Sequence, residues 1–466
     1  MKRRRIIPAI AVTLLAICCT ANYTVQMADS EKMFYAGNYL DAARKLLPYV
    51  NKNNEDQLLF MMEAGLMLHA GGDYEKSNKV LLAASDLSEK IAISVSKEAA
   101  SLFVNDTVTN YRGEDFERVL IHMYLGVNFL MLNNPDEARV EFKKVDNILR
   151  GIKESGGGIY KQNLMAKYLY AVAFEISAVT QKDDNDFNDA YVEYKQINQL
   201  DPAFDSVRLD LIRMAKTLGD TEDYQKWRGQ FGALDASIPK NAGELILIYQ
   251  SGQGAVKQSR GKLLQDVQMK SAIQVSLNGM SLVQGVTAAG VIAALALAEN
   301  PIPKFVKRSN KGRFASISGK GISNANTYML EDIENTAVKN LEDKYTSMYV
   351  KVAASVAIKA AAALASGLAA QRIAKQMGGS VAKFSGLIGA AAGAGVEAGL
   401  ASTIKPDLRC WHTLPANLQI KRIFLSPGKY DLTLSAVGNS GNVDTKTFKV
   451  SIAPGKKTLL NYRTLF

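Results

Sequence analysis

The sequence predicts a mainly α-helical protein with a smaller β part. Three observations lead to this fold class. Apolar residues recur at helical spacing between turn signals in the first half, alanine- and glycine-rich stretches follow, and alternating runs separated by Pro-Gly turns end the chain. With 466 residues, 47% of them hydrophobic and 22% charged, the chain is long enough for about two to four domains and is not globally disordered.

The first 19 residues have the features of a signal peptide. Lys2–Arg5 form a basic region, and the apolar run Ile6–Ile17 is too short to span a bilayer as a helix. Cys18 and Cys19 follow a lipobox-like sequence, so either thiol is a candidate for lipidation, which would anchor the mature chain to a membrane. The alternative is secretion without an anchor, with cleavage after Ala21. We therefore expect export from the cytoplasm.

Charge divides the rest of the chain into two parts. Residues 22–239 contain 24 basic and 33 acidic residues, whereas residues 240–466 contain 28 basic and 12 acidic residues. The composition changes at Pro239–Gly243, where we place the boundary between an acidic and a basic domain. Two explanations stay open: each half attracts a different partner, or the two halves neutralise each other by packing together.

The acidic domain is predicted to be a tetratricopeptide-like array of helical hairpins. Gly37 and Gly72, each at a turn signal, are 35 residues apart, close to the repeat length of such arrays. Further turns are expected at Asn133, at Asp186–Ala190 and at Gly219. In each hairpin a glycine or asparagine ends the first helix in a left-handed conformation, and an aspartate caps the second helix.

Insertions interrupt the predicted array. The later turns are spaced more widely than one repeat, and Ile91–Arg112 and Gly156–Gly158 are the extra segments. One hairpin cannot bury its apolar face alone, so neighbouring hairpins must stack. The alternative to an array is an irregular helical bundle.

The basic domain is predicted to combine helices with strands. Leu245–Tyr249 is an apolar run suited to a buried strand. Ser271–Ala298 carries no charge and suits a helix that is buried rather than membrane-spanning. A helical hairpin rich in alanine and glycine is expected over 346–403, where the spacing of Gly389 with Gly393 and of Gly395 with Gly399 would let another backbone approach closely.

The end of the chain is predicted to be a four-stranded antiparallel β-meander over residues 417–464. Its strands are alternating or apolar runs. The turns Ser426–Lys429 and Ala453–Lys456 place proline and glycine at the second and third positions, as a type II turn requires. Leu245–Tyr249 is expected to add a further strand, which joins the start of the basic domain to its end.

The densest basic tract of the mature chain lies within Pro303–Lys320 and contains no acidic residue. Its lysines and arginines include Lys304, Lys307, Arg308, Lys311 and Arg313. We expect this tract either to meet a polyanionic surface of the cell envelope or to be a solvated, mobile loop. Nucleic acid is not an expected partner, because the chain is expected to be exported.

Two segments resemble the signatures of a known family. Leu330–Glu334, continuing through Lys339–Leu341, resembles the first signature, and Asp407–Asn417 resembles the more specific second one, Asp-x-Arg-x-Trp-x-Thr-Leu-Pro. The family consists of uncharacterised bacterial envelope lipoproteins with N-terminal tetratricopeptide-like repeats. In this chain the signature residues are Asp407, Arg409, Trp411, Leu414 and Pro415.

The resemblance covers most of the mature chain and implies export, lipidation and an outer-membrane, periplasm-facing location. It implies no known catalytic activity. The chain departs from the family pattern at Ile17 in the lipobox, and at Val352, Ala353 and Lys359, where arginines are expected.

The second signature has a structural interpretation of its own. Asp407 and Arg409 are expected to form an ion pair that orients the turn before the meander, and Trp411, Leu414 and Pro415 are expected to bury it.

The sequence contains few candidates for catalytic or metal-binding residues. Asp407 and His412 are a candidate acid–base pair, but no nucleophile with oxyanion donors accompanies them. Cys410 lies two residues before His412, yet no third metal ligand is evident, and three cysteines and three histidines argue against a zinc site or disulfide framework. We expect no enzymatic activity, no metal and no cofactor.

These observations predict an exported, lipid-anchored envelope scaffold that binds another envelope protein through its helical repeats. The expected contacts are membrane lipid through the N-terminal anchor and a polyanionic envelope surface through the basic half. The functional alternative is a membrane-active or transport accessory protein that inserts its alanine- and glycine-rich helices. The alternative location is soluble in the periplasm.

Overall fold

The structure, a computed structural model, describes most of the chain. The described residues are 23–97, 110–154, 162–181, 183–376 and 385–466. The predicted signal peptide with Cys18 and Cys19, and the insertion Gly156–Gly158, lie outside these residues.

Helices α1 to α10 build the first part of the fold as five helical hairpins, which confirms the predicted tetratricopeptide-like array. The first helices of the middle hairpins are buried on nearly all sides, because neighbouring hairpins and the second part of the fold cover them. The helices are α1 Tyr23–Tyr35, α2 Tyr39–Val50, α3 Gln57–Ala70, α4 Tyr74–Lys97, α5 Asp115–Met131, α6 Pro135–Glu154, α7 Leu164–Gln181, α8 Asp184–Leu200, α9 Asp205–Thr217 and α10 Thr221–Phe231.

The turns within the hairpins have the predicted conformation. The residue that ends the first helix has a positive φ at Gly37 (84°), Gly72 (80°), Asn133 (57°) and Gly219 (69°). Asp220 then caps α10, since its carboxylate accepts a hydrogen bond from the Asp223 N–H at 2.9 Å.

The turn predicted at Asp186–Ala190 is wrong. These residues lie inside α8, which is capped by Asp183, whose carboxylate accepts from the Asn185 N–H at 3.0 Å. Several aspartates follow one another here, and each has the side chain that a helix cap needs. Capping preference alone therefore does not decide which of them begins the helix.

Small residues let the two helices of a hairpin approach closely. A Cβ on Gly65 of α3 would lie 2.5 Å from Leu81 of α4, and a Cβ on Gly126 of α5 would lie 2.5 Å from Phe142 of α6. Ala138 in the first turn of α6 is fully buried as well.

The second part of the fold contains ten strands and five α-helices among the described residues. The strands are β1 Gly243–Ser251, β2 Val256–Gln258, β3 Lys304–Val306, β4 Gly312–Gly319, β5 Ile322–Asn326, β6 Tyr328–Asp332, β7 Asn417–Leu425, β8 Gly428–Gly438, β9 Gly441–Ile452 and β10 Lys457–Arg463. The helices are α11 Val267–Asn278, α12 Ala288–Ala294, α13 Ile333–Glu342, α14 Tyr345–Gln376 and α15 Ser385–Thr403.

Strand β1 lies at the centre of this part. The first sheet has the order β10-β1-β7-β6, and the second has the order β5-β4-β8-β9. All nine residues of β1 are buried. Successive side chains on a strand point to opposite faces. Ile246 and Ile248 accordingly pack with the helical array, while Leu247 and Tyr249 pack with the second sheet.

The four strands predicted at the end of the chain are present, but their arrangement as a meander is wrong. β8 and β9 form a hairpin in the second sheet, whereas β7 and β10 flank β1 in the first. β7 is antiparallel to β1 and β10 is parallel to it. Short turns show that strands follow one another but do not fix their partners, and the buried β1 takes one partner on each edge. The predicted joining of the start of the basic half to its end is thereby confirmed.

The single helix predicted over Ser271–Ala298 is wrong. Two helices, α11 and α12, are separated by a turn in which Gly285 has a φ of 94°. Thr287 caps α12 by accepting from the Gly290 N–H at 3.1 Å. Both helices pack with α14, so the expected burial of their apolar residues holds in part.

The predicted hairpin of alanine- and glycine-rich helices is present as α14 and α15. No described atom lies within 4 Å of a Cβ built on Gly395 or Gly399, so the close approach expected at this pair is wrong. By length and composition, Tyr345–Ala369 in α14 is the one described helical stretch that could cross a membrane.

Candidate functional site

A row of carboxylates lines the side of the helical array that the second part of the fold covers. The first helix of each hairpin contributes one of them: Glu31, Glu63, Glu117, Glu175 and Asp210. The last four are at most 1% exposed. A buried carboxylate is costly unless hydrogen-bond donors or cations surround it. We call these five residues the carboxylate wall.

Residues 407–416, which connect α15 to β7, lie against the wall, and we call them the docked segment. Three consecutive main-chain N–H groups of this segment bind two wall residues. The Trp411 N–H donates to Glu117 at 2.7 Å, and the N–H groups of His412 and Thr413 donate to Glu63 at 2.6 and 3.2 Å. The array therefore recognises the backbone of an extended segment of its own chain.

The carbonyl groups of the docked segment are bound as well. The His412 carbonyl accepts from the Tyr35 hydroxyl at 2.8 Å and from the Arg308 guanidinium at 2.6 Å. The Thr413 carbonyl accepts from Arg463 at 2.9 Å. Groups from α1, from the β3–β4 connection and from β10 thus meet at one short stretch of backbone.

The signature side chains hold the docked segment in place. The predicted ion pair between Arg409 and Asp407 is present at 2.8 Å, and Arg409 also pairs with Asp56 at the start of α3 at 2.8 Å. Trp411 is 1% exposed, and its ring lies 6.0 Å from that of Tyr124 in α5. Leu414 and Pro415 are buried too, as predicted. The burial is against the helical array, a partner that the sequence did not indicate.

Arg422 of β7 pairs with the carboxylates at the other end of the wall. Its guanidinium lies 2.9 Å from Glu175 and 3.0 Å from Asp210, and it also pairs with Glu244 of β1. Burial alone raises the pKa of Glu175. Arg213, Arg422 and Lys457 nevertheless hold that pKa well below its usual value. The Glu175 carboxylate is therefore ionised and serves as an anchor for cations.

The opposite charges of the two halves meet at this interface. Carboxylates from the acidic half pair with Arg409, Arg422 and Lys457 of the basic half. Of the two explanations left open by the sequence, packing of the halves against each other accounts for these charges. Buried pairs of this kind are screened by salt much less than exposed ones.

His69 of α3 joins the same interface in its neutral form. Its Nδ1 lies 2.5 Å from the Asn128 Oδ1, and its Nε2 lies 2.7 Å from the Gln250 amide nitrogen and 3.0 Å from that of Asn461. Amide nitrogens are donors, so Nε2 must accept and cannot carry a proton. Burial correspondingly lowers the pKa of His69 to about 4.

The candidate acid–base pair of the sequence is not assembled. Asp407 is engaged by Arg409, whereas His412 lies 3.4 Å from Glu31. Burial raises the pKa of Glu117 to about 7, but its oxygens accept from the Tyr111 hydroxyl and from main-chain N–H groups. Within the described ranges, no group of three or more His, Cys, Asp or Glu residues could hold a metal ion. The arrangement suits binding rather than acid–base chemistry.

The predicted basic tract is divided between two strands and the connection between them, so its interpretation as one solvated loop is wrong. Lys304 lies on β3 and Arg313 on β4, and both are exposed, as are Lys307 and Lys311. Arg308 instead turns towards the docked segment and binds the Tyr35 hydroxyl at 2.7 Å. The tract therefore supplies one structural arginine and a set of surface cations.

Sequence reasoning missed the wall and its main cation. Glu63 and Glu175 each stand alone within an otherwise apolar helical run, whereas Arg422 follows Lys421 in β7 and does not stand out. A lone charge in such a run signals a buried partner, since an unpaired one would be too costly. That signal was present in the sequence, but it does not say which residue is the partner.

The sequence matches no family model, and no curated protein matches it. Several solved structures resemble the chain over somewhat less than half its length. MamA from Desulfovibrio magneticus RS-1 (residues 41 to the end) is 14% identical, covers 46% of this chain and 95% of its own, and has a TM-score of 0.30.

Two further structures resemble the chain to a similar extent. A putative kinesin light chain from Podospora anserina, with nearly identical TPR-like repeats, is 14% identical over 45% of this chain and 93% of its own, with a TM-score of 0.30. PilW, a widely conserved type IV pilus biogenesis factor, is 13% identical over 47% and 79%, with a TM-score of 0.27. Likeness at these TM-scores carries no functional conclusion.

Replacing Arg422 by methionine should lower the free energy of unfolding by about 3 to 5 kcal/mol, because buried carboxylates would lose their shared cation. Chemical denaturation measures this change. Lys421→Met is the matched control, since the neighbouring side chain points to the other face of β7, and it should cost less than about 1 kcal/mol. Equal losses in the two variants would contradict the role assigned to Arg422.

Acidification should destabilise the protein through His69. The unfolded chain takes up a proton near pH 6.5, whereas the native imidazole does so only near pH 4, so stability is lost as the pH falls between these values. The His69 contribution between pH 7 and pH 5 is about 2 kcal/mol. Chemical denaturation at both pH values measures the free energy of unfolding. Its change between pH 7 and pH 5 should be smaller in His69→Gln than in the wild type by about 2 kcal/mol. An unchanged pH dependence would refute this assignment.

Proposed function

We propose that the protein is a non-catalytic interaction scaffold of the cell envelope. The observation that carries this proposal is the docked segment on the carboxylate wall. The side of the array where an extended partner would bind is occupied by the chain itself, and the carboxylates there accept hydrogen bonds from its backbone. A partner protein therefore binds elsewhere on the helical repeats.

The outer face of the array is the proposed binding surface. Stacked hairpins place their second helices in a row. Three of these helices expose aliphatic side chains: Leu82 of α4 (39% exposed), Val140 of α6 (54%), and both Val192 (39%) and Leu200 (50%) of α8. Exposed aliphatic residues on successive second helices are suited to the apolar centre of a protein interface.

This surface can be tested by site-specific photo-crosslinking in cells. A photoreactive residue at position 140 should give one discrete adduct, and Leu82→Asp together with Val192→Asp should reduce its yield severalfold. Val275→Asp, at a valine of α11 that is 72% exposed, is the control and should leave the yield unchanged. Failure to form a discrete adduct, or an adduct that does not respond to the flanking charges, would refute this surface.

The scaffold is proposed to be exported and lipid-anchored at the outer membrane, facing the periplasm. The basic region, the apolar run and the cysteines at positions 18 and 19 support this location, and the resemblance of the docked segment to the second family signature agrees with it. An anchored scaffold would also bring its exposed cations close to a polyanionic envelope surface.

A fatty-acid analogue supplied to cells should label the wild type and not the variant Cys18→Ser/Cys19→Ser. Absence of label on the wild type would exclude the anchor and favour a soluble periplasmic protein. Carbonate extraction of the double variant distinguishes the second candidate function, membrane insertion, which the apolar stretch Tyr345–Ala369 favours. Release supports the scaffold, whereas resistance supports insertion.

A further inference from the structure

A cleft between the two parts of the fold is rich in cations. It has a volume of about 540 Å³ and lies between the start of α5, the start of α14 and the docked segment. Among the described residues, seven lysines and arginines line it against three carboxylates, which gives these lining residues a net charge of +4. The volume is within the range of pockets that hold small molecules.

Ion pairs already neutralise the carboxylates of the lining. The pairs are Glu114 with Lys257 at 2.6 Å, Asp115 with Lys344 at 2.8 Å, and Asp407 with Arg409 at 2.8 Å. Burial alone raises the pKa of Glu114, but Lys257 and Lys344 bring it below its usual value. The three carboxylates are thus committed to structural pairs and do not offset the charges of Arg118 and Lys405.

Two further cations that line the cleft, Arg118 and Lys405, leave it with an excess of positive charge. Arg118 projects from α5, is half-buried, and makes no ion pair with any described residue; the same is true of the exposed Lys405, just before the docked segment. Like charges gathered in a cleft with low-dielectric walls raise the local potential and attract anions. An anion bound here would relieve their mutual repulsion.

We propose that this cleft binds a ligand that carries two or more phosphate groups. A phosphate group contributes a charge of about −1 to −2, so two such groups match the charge of the lining. The guanidinium group of Arg118 suits phosphate, because its planar fork donates paired hydrogen bonds to the phosphate oxygens. Such phosphates belong either to a lipid headgroup or to a soluble molecule. The proposal does not depend on the scaffold function.

The test titrates the full-length protein with inorganic pyrophosphate by calorimetry. The wild type should bind, and Arg118→Gln/Lys405→Gln should weaken binding about tenfold or more, since two charge-assisted contacts are lost. Lys311→Gln/Lys320→Gln removes the same charge from exposed positions outside the cleft and should change the affinity less than about twofold. Thermal melting confirms that both variants are folded.

Flotation with vesicles distinguishes the two sources of phosphate. The vesicles contain phosphatidylcholine alone or mixed with cardiolipin, whose headgroup carries two phosphates. Cardiolipin-dependent flotation that the cleft variant loses and the control keeps assigns the site to a lipid headgroup, whereas pyrophosphate binding without it assigns the site to a soluble ligand. If the wild type binds neither probe, or if both variants weaken binding equally, the proposal is overturned.

Discussion

The buried carboxylates of the helical array are the constraint on which the rest of the structure depends. The first helix of each of the three middle hairpins carries one acidic residue whose side chain is almost fully buried and therefore shielded from water. An isolated buried carboxylate is too costly to persist, so donors must come from the other half of the chain. The docked segment supplies main-chain N–H groups at one end of the wall, and Arg422 and Lys457 supply cations at the other.

This requirement explains the arrangement of the second part of the fold. β1 must present one face to the helices and the other to the second sheet, and all of its residues are accordingly buried. Placing β7 beside β1 brings Arg422 to Glu175, and placing β10 on the other edge brings Lys457 to the same carboxylate. A simple meander would have separated these two cations. The strand order of the mixed sheet therefore brings both cations to the same buried carboxylate.

Local features of the fold were predictable from the sequence, whereas the partners of distant residues were not. The turns at Gly37, Gly72 and Gly219 follow from backbone conformation, and the Asp407–Arg409 pair lies within three residues. The contact of Glu63 with Thr413 joins residues 350 positions apart. A lone acidic residue in an apolar helix indicates that a partner exists, but its identity depends on how the chain folds back.

Burial of the carboxylate wall also limits which surfaces of the protein remain free to bind a partner. An external peptide that entered the wall would have to displace the docked segment, and Glu63 and Glu117 would lose several hydrogen bonds at once. It would also have to remove Trp411 from its contact with the array. Because several segments of the basic half bind the wall, this displacement would open the whole interface rather than one groove. Recognition is therefore expected on the outer helices and in the cationic cleft, where binding leaves the buried charges paired.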